Sequence, residues 1–89
     1  MGEYISDKVK RSLAEFRYNL RLLRATTEYS GKELANKMGM AEKRVIDLEE
    51  GRMPPKIEDA IIIANFFNIT LSDLFSRIEL DIPSQRKDP

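Results

Sequence analysis

Charged side chains are the ones that could do chemistry in this chain, because its 89 residues include no histidine and no cysteine. The sequence therefore offers no imidazole base, no thiolate nucleophile and no cysteine or histidine metal ligand. It also lacks a glycine-rich phosphate loop and carboxylate pairs spaced for acid–base work. We expect no enzyme, no metal site and no cofactor. The remaining chemistry is ionic binding.

The basic and acidic residues are segregated along the chain, although 15 of each give a net charge of zero. Residues 8–44 contain ten lysines and arginines against four glutamates, whereas residues 45–82 contain three against eight acids. A phosphate backbone responds to the local field and not to the total charge. The pattern predicts a basic pole that could bind phosphate and a separate acidic pole.

Length and hydropathy indicate one small soluble domain. Eighty-nine residues suffice for a single core. No apolar run is long enough to span a bilayer, and the N-terminus does not have the pattern of a secretory signal. We expect a cytoplasmic protein with no membrane partner, and no small-molecule pocket is evident.

Residues 31–50 have the pattern of two short helices joined by a tight turn. Gly39 lies between them, and glycine takes the positive φ of such a turn without steric cost. Ala35 is small where a second helix would have to cross closely. One face of each helix is apolar, formed by Leu34, Ala35 and Met38 in the first and by Val45 and Leu48 in the second. Together these features predict a helix-turn-helix.

Three further helices are predicted around this unit. Ser6 or Asp7 caps a first helix that runs to about Ala25. Its apolar stripe is Val9, Leu13, Phe16, Leu20 and Leu23. A fourth helix spans about residues 57–67, and its expected core face is Ile57, Ala60, Ile61, Ala64 and Phe67. Asn68 ends it in the left-handed conformation, and Thr70 caps a short fifth helix.

The whole pattern resembles the Cro/C1-type repressor family. The matching positions are Leu20, Leu23, Arg24, Leu34, Ala35, Met38, Gly39, Val45, Leu48, Glu49, Gly51, Pro55, Ile57, Ala64, Phe67, Ile69 and Leu74. The resemblance implies an all-α, five-helix, lambda-repressor-like domain over residues 8–76, after an N-terminal arm at 1–7. It also implies a sequence-specific, double-stranded-DNA-binding transcriptional regulator, of the repressor kind, that reads the major groove with its third helix.

The same resemblance assigns roles to individual residues. Arg24 and Glu49 would form a structural ion pair between the first and third helices. The candidates for base readout are Glu42, Lys43, Ile46 and Asp47. The candidates for phosphate contact are Arg21, Gly31, Lys32, Arg44, Arg52 and Lys56. An alternative for Lys43 and Asp47 is an ion pair along the helix surface with no base readout.

Two departures from the family pattern weaken the DNA prediction. The family usually has glutamine at the position of Gly31, where glycine supplies only a backbone N–H. Acids at 42 and 47 are also harder to place in a major groove. The alternative is therefore a protein-interaction module of the same fold, antitoxin-like or antirepressor-like. Salt dependence separates the two, because binding through several cations weakens steeply with ionic strength.

The last segment, residues 77–89, is the least like the family. Ile78, Leu80 and Ile82 alternate with acids, which favours a short extended strand. A DNA reader of this size needs two half-sites, so we expect a homodimer. Its candidate contacts are Ile62, Phe66, Ile78, Leu80 and Ile82. The alternative is a tail packed on its own fourth helix.

Overall fold

The computed structural model describes residues 6–77, and within this range the chain forms five helices and no strand. The helices are α1 (Asp7–Ala25), α2 (Gly31–Met38), α3 (Glu42–Glu50), α4 (Ile57–Phe67) and α5 (Leu71–Leu74). The all-α, five-helix prediction is confirmed. The predicted C-terminal strand, with Ile78, Leu80 and Ile82, lies outside the described residues. None of the helices in residues 6–77 is long and apolar enough to cross a membrane.

Side-chain caps begin three of the helices. The Ser6 hydroxyl accepts the Val9 N–H at 3.2 Å at the start of α1. At the start of α2, Ser30 accepts the Glu33 N–H at 3.1 Å while the Glu33 carboxylate accepts the Ser30 N–H at 2.8 Å. At the start of α5, the Thr70 hydroxyl accepts the Asp73 N–H at 2.9 Å. These bonds satisfy backbone donors that a helix start would otherwise leave unpaired.

Left-handed residues end α2, α3 and α4, and each reverses the chain over the last turn. They are Gly39 with φ 74°, Gly51 with φ 75° and Asn68 with φ 57°. The next N–H in each case returns to a carbonyl five residues earlier, over 2.8–2.9 Å: Met40 to Ala35, Arg52 to Asp47, and Ile69 to Ala64. This is the Schellman geometry, which glycine adopts most easily. It brings α3 back across α2 after a three-residue turn.

The core forms where these helices meet. Its fully buried members are Phe16, Leu20, Leu34, Val45, Leu48, Ile63 and Leu74. Asn19 is also buried. Its side-chain amide is satisfied there, because it donates to the carbonyls of Leu74 at 2.8 Å and Ser76 at 2.6 Å. This amide ties α1 to the end of α5, and helix periodicity alone did not predict its role.

The predicted core face of α4 was partly wrong. Ile57 and Ile61 are 65% and 43% exposed, whereas Ile63 is fully buried. The buried face of α4 is rotated toward Asp59, which lies on the Ile63 side and forms an ion pair with α3. In α1, Val9 is also exposed and is not part of the core. It lies in the first turn of the helix, before the first buried residue, Phe16.

The corrected face of α4 yields a matched test. Ile63→Ala removes fully buried methyl and methylene groups and should lower the free energy of unfolding by about 3 kcal/mol. Ile61→Ala makes the same chemical change on the same helix at a largely exposed position and should cost less than about 1 kcal/mol. Urea unfolding followed by circular dichroism measures both. Equal losses would contradict this orientation of α4.

Candidate nucleic-acid interface

Arg24 and Glu49 join the end of α1 to the end of α3. The Arg24 Nε donates to Glu49 Oε2 at 2.6 Å, and its Nη2 donates to Oε1 at 2.9 Å. This two-point contact matches the planar guanidinium fork to both carboxylate oxygens. Glu49 is buried, so the pair fixes α3 at its C-terminal end. The hydrogen bond to Glu49 raises the pKa of Arg24, although burial opposes the change.

The outward face of α3 differs from the prediction in one respect. Glu42 and Lys43 are exposed and Ile46 is half-buried. Asp47 is only 3% exposed and cannot present its carboxylate to a base. The physical reason is that two cations cover it, Lys43 and Arg52. The ion pair along the helix between Lys43 and Asp47 is therefore present, while 83% of the Lys43 side chain stays exposed.

Arg44 also lies differently from the expected phosphate contact. Its guanidinium donates to the carboxylate of Asp59 on α4 and touches the sulfur of Met53 and the carbonyl of Pro54. Asp59 in turn accepts the Lys56 N–H at 2.8 Å at the start of α4. Arg44 therefore helps to hold the α3–α4 loop in place, and only 20% of its side chain stays exposed.

The carboxylates of Asp47 and Asp59 are stabilised in the charged form. The hydrogen bond from Lys43 lowers the pKa of Asp47, with Arg52 acting in the same direction against the effect of burial. Burial alone would raise the pKa of Asp59, but the hydrogen bonds from Arg44 and the Lys56 backbone lower it overall. Both groups favour the folded state above the ordinary aspartate pKa of about 4, and that stability is lost as the pH falls through their lowered values.

The other predicted phosphate ligands lie on the surface around α2 and α3. Arg21, Lys32, Arg52 and Lys56 are exposed, and Gly31 begins α2 half-buried. The position of a Cβ at Gly31 is open space, so no side chain crowds the start of α2 at this point. Arg52 keeps 61% of its side chain exposed while it also pairs with Glu50 at 2.6 Å.

An open groove of about 360 Å³ separates α1 from the loop that follows α3. Phe16 and Leu48 form part of its floor, and Lys10, Arg17 and Arg52 border it. Gly51 lines the groove beside the side chain of Arg17, which lies where a Cβ at Gly51 would stand. The basic residues of α1 along this groove, Lys10 and Arg17, therefore line it together with Arg52, a phosphate candidate of the loop.

Sequence reasoning missed Asp59 as a partner of α3. Its place in the first turn of α4 predicted only a favourable interaction with the helix dipole. The available signal was its spacing, three residues after Lys56 and four after a Pro-Pro pair, which is the spacing of a side chain that caps a helix start. The Arg44 contact has no local signal, because the two residues are 15 positions apart.

The structure thus has two short helices joined by a left-handed turn, with α1 and α4 packed around them and exposed cations along their border. This arrangement defines a helix-turn-helix domain. The model of the helix-turn-helix family HTH_3 matches residues 20–74. The chain belongs to this helix-turn-helix family, which confirms the resemblance to Cro/C1-type regulators.

Several known proteins are similar to this chain. An uncharacterised HTH-type transcriptional regulator of Methanocaldococcus jannaschii is 32% identical over 56 residues, which cover 63% of this chain and 85% of that protein. One of Archaeoglobus fulgidus is 36% identical over 59 residues, covering 66% and 84%. The cryptic phage CTXphi transcriptional repressor RstR of Vibrio cholerae is 28% identical over 72 residues, covering 81% and 65%.

A solved structure has the same fold. The solution structure of the SOS-response transcriptional repressor LexA from Eubacterium rectale superimposes with a TM-score of 0.69 at 26% sequence identity. The match covers 97% of this chain and 88% of that one.

The Arg24–Glu49 pair yields a stability test. Glu49→Gln should lower the free energy of unfolding by about 2 kcal/mol, because it leaves a partly buried guanidinium without its charged acceptor. Arg24→Met together with Glu49→Gln should cost less than the sum of the two single changes, since each already removes the shared contact. Urea unfolding of the four proteins completes the cycle. Additive losses would show that the pair contributes nothing of its own.

Proposed function

We propose that this protein is a sequence-specific double-stranded DNA-binding transcriptional regulator, repressor-like, that reads the major groove with α3. The observation that carries the proposal is the exposure of Lys43 on α3, where 83% of the side chain is accessible, beside the exposed Arg52. Membership of the helix-turn-helix family and similarity to a named phage repressor support it. Occupying an operator in this way would block or recruit polymerase.

Base readout is assigned to the exposed face of α3. The ammonium group of Lys43 can donate to guanine O6 and N7, and the side chain of Ile46 can contact a thymine methyl. Glu42 can accept from cytosine N4. With Asp47 and Arg44 committed within the protein, Lys43 is the principal side chain for readout.

Phosphate contact is assigned to residues on both sides of α3. Lys32 and the free N–H groups at the start of α2 would meet the backbone on one side. Arg52 and Lys56 in the α3–α4 loop would meet it on the other, and Arg21 extends the basic surface along α1. These contacts fix the position of α3 in the groove and make binding dependent on salt.

A homodimer on a palindromic operator follows from the size of the domain. One recognition helix reads only a few base pairs, and two copies related by two-fold symmetry read half-sites about 34 Å apart. Phe66 is 37% exposed on α4 and Ile62 is half-buried beside it, so this side of α4 is our candidate dimer contact. Ile78, Leu80 and Ile82 would complete it.

Selection from a pool of random duplexes at low and moderate salt tests the proposal. We expect enrichment of an inverted repeat whose half-sites are about one helical turn apart. Lys43→Ala should weaken binding to the enriched site by about 10- to 100-fold, the range for losing one good base contact. Lys8→Ala is the matched control, because Lys8 is an exposed cation in the first turn of α1 to which no DNA contact is assigned. It should change affinity by less than about threefold.

Each possible result has a definite consequence. Enrichment of a single half-site would contradict the dimer but keep the DNA reader. A folded protein that binds no duplex at low salt would contradict the whole proposal and favour a protein-interaction module. Equal losses for Lys43→Ala and Lys8→Ala would contradict the assignment of readout to α3.

A further inference from the structure

Asp47 is an acid on the recognition helix that is almost completely covered. Its side chain is 4% exposed, and each of its two oxygens accepts from a different cation. Lys43 Nζ lies 3.0 Å from Oδ2, and Arg52 Nη1 lies 3.2 Å from Oδ1. One buried carboxylate thus holds both a base-readout candidate and a phosphate candidate.

The backbone at the end of α3 creates this arrangement. Lys43 lies one turn before Asp47, where side chains four residues apart meet. Gly51 reverses the chain, and the Arg52 N–H returns to the Asp47 carbonyl at 2.9 Å. This turn lays the Arg52 side chain back along the helix, over the same carboxylate. The backbone of α3 and of the turn after it therefore places both cations within reach of the one carboxylate.

Both cations keep donors for DNA while they are held. A lysine ammonium has three donors and an arginine guanidinium has five. Asp47 takes one from Lys43 and one from Arg52, and Glu50 takes another from Arg52. The lysine side chain is otherwise a long flexible stem, and restricting it before binding reduces the ordering cost of binding.

We infer that Asp47 is the residue that sets sequence specificity by positioning Lys43 against the base edges and Arg52 against the adjacent phosphate. The inference rests on the proposed function, since it assigns the source of specificity within that same surface. The effect on DNA affinity that positioning predicts differs from the effect of simple charge repulsion. An acid that merely repelled DNA would weaken binding to every duplex alike, whereas a positioning acid strengthens binding to the correct sequence relative to others.

The test compares Asp47→Asn with wild type on the selected duplex and on an unrelated duplex of equal length. The ratio of the two affinities should fall at least about tenfold, because the amide cannot accept from both cations. Affinity for the unrelated duplex should stay the same or rise, since one negative charge is lost. Glu50→Gln is the matched control: it removes the same charge beside Arg52 but does not touch Lys43, and the ratio should change by less than about twofold.

Two further variants separate positioning from charge and from folding. Asp47→Glu keeps the charge but moves the carboxylate by one methylene, and it should also lower the ratio. In the Lys43→Ala background, Asp47→Asn should cause less loss of ratio than it does alone, because it acts partly through Lys43. Thermal melting of each variant, with affinities corrected for the folded fraction, removes any effect of stability on these ratios.

The outcomes distinguish this inference from the proposed function. A wild-type protein with no sequence preference would overturn both. A wild-type protein with a clear preference whose ratio survives both Asp47→Asn and Asp47→Glu would overturn the positioning role alone. Equal weakening of both duplexes would also overturn it, since that is the signature of a purely structural residue.

Discussion

The ion pair between Arg24 and Glu49 is the interaction on which the rest of the surface depends. The helix α3 has only nine residues and no side-chain cap at its start, so it has little stability of its own. An acid near a helix C-terminus is also unfavourable for the helix dipole. Arg24 offsets that effect and anchors the end of α3 to the longest helix, while Val45 and Leu48 hold its inner face in the core. The outward face of α3 is positioned by these contacts.

A second level of control lies in how charges are shared around α3. Asp59 engages Arg44 and Asp47 engages Lys43 and Arg52, so these two acids near the outward face of α3 are already paired within the protein. The acids therefore act mainly as internal acceptors that order their neighbours. The exposed charged residues of α2 and α3 are then three lysines and three glutamates: Lys32, Lys37, Lys43, Glu33, Glu42 and Glu50.

The parts of the fold that could be predicted from sequence are those with local causes. Ser30 with Glu33, and the left-handed Gly39, Gly51 and Asn68, mark helix limits within a few residues, so the boundaries of α2 and α4 followed directly. The rotation of α4 did not, because residues 61–63 are three consecutive isoleucines and any of them could face the core. The burial of Asp47 could not be predicted from helix periodicity, because it depends on how the next loop folds back over α3. The sequence pattern thus identified the candidate residues on α3, whereas the partners Arg52 and Asp59 were found only in the tertiary structure.

Nuclear magnetic resonance titration of the isotope-labelled protein with its selected duplex tests the central claim most directly, that α3 and its flanks form the DNA-binding surface. We predict that the largest amide shifts fall at the start of α2, along the exposed face of α3 and in the loop from Gly51 to Lys56. The shifts should weaken together as salt is added. Shifts concentrated around Ile57 and Ile61 on α4, with α3 unchanged, would contradict the account.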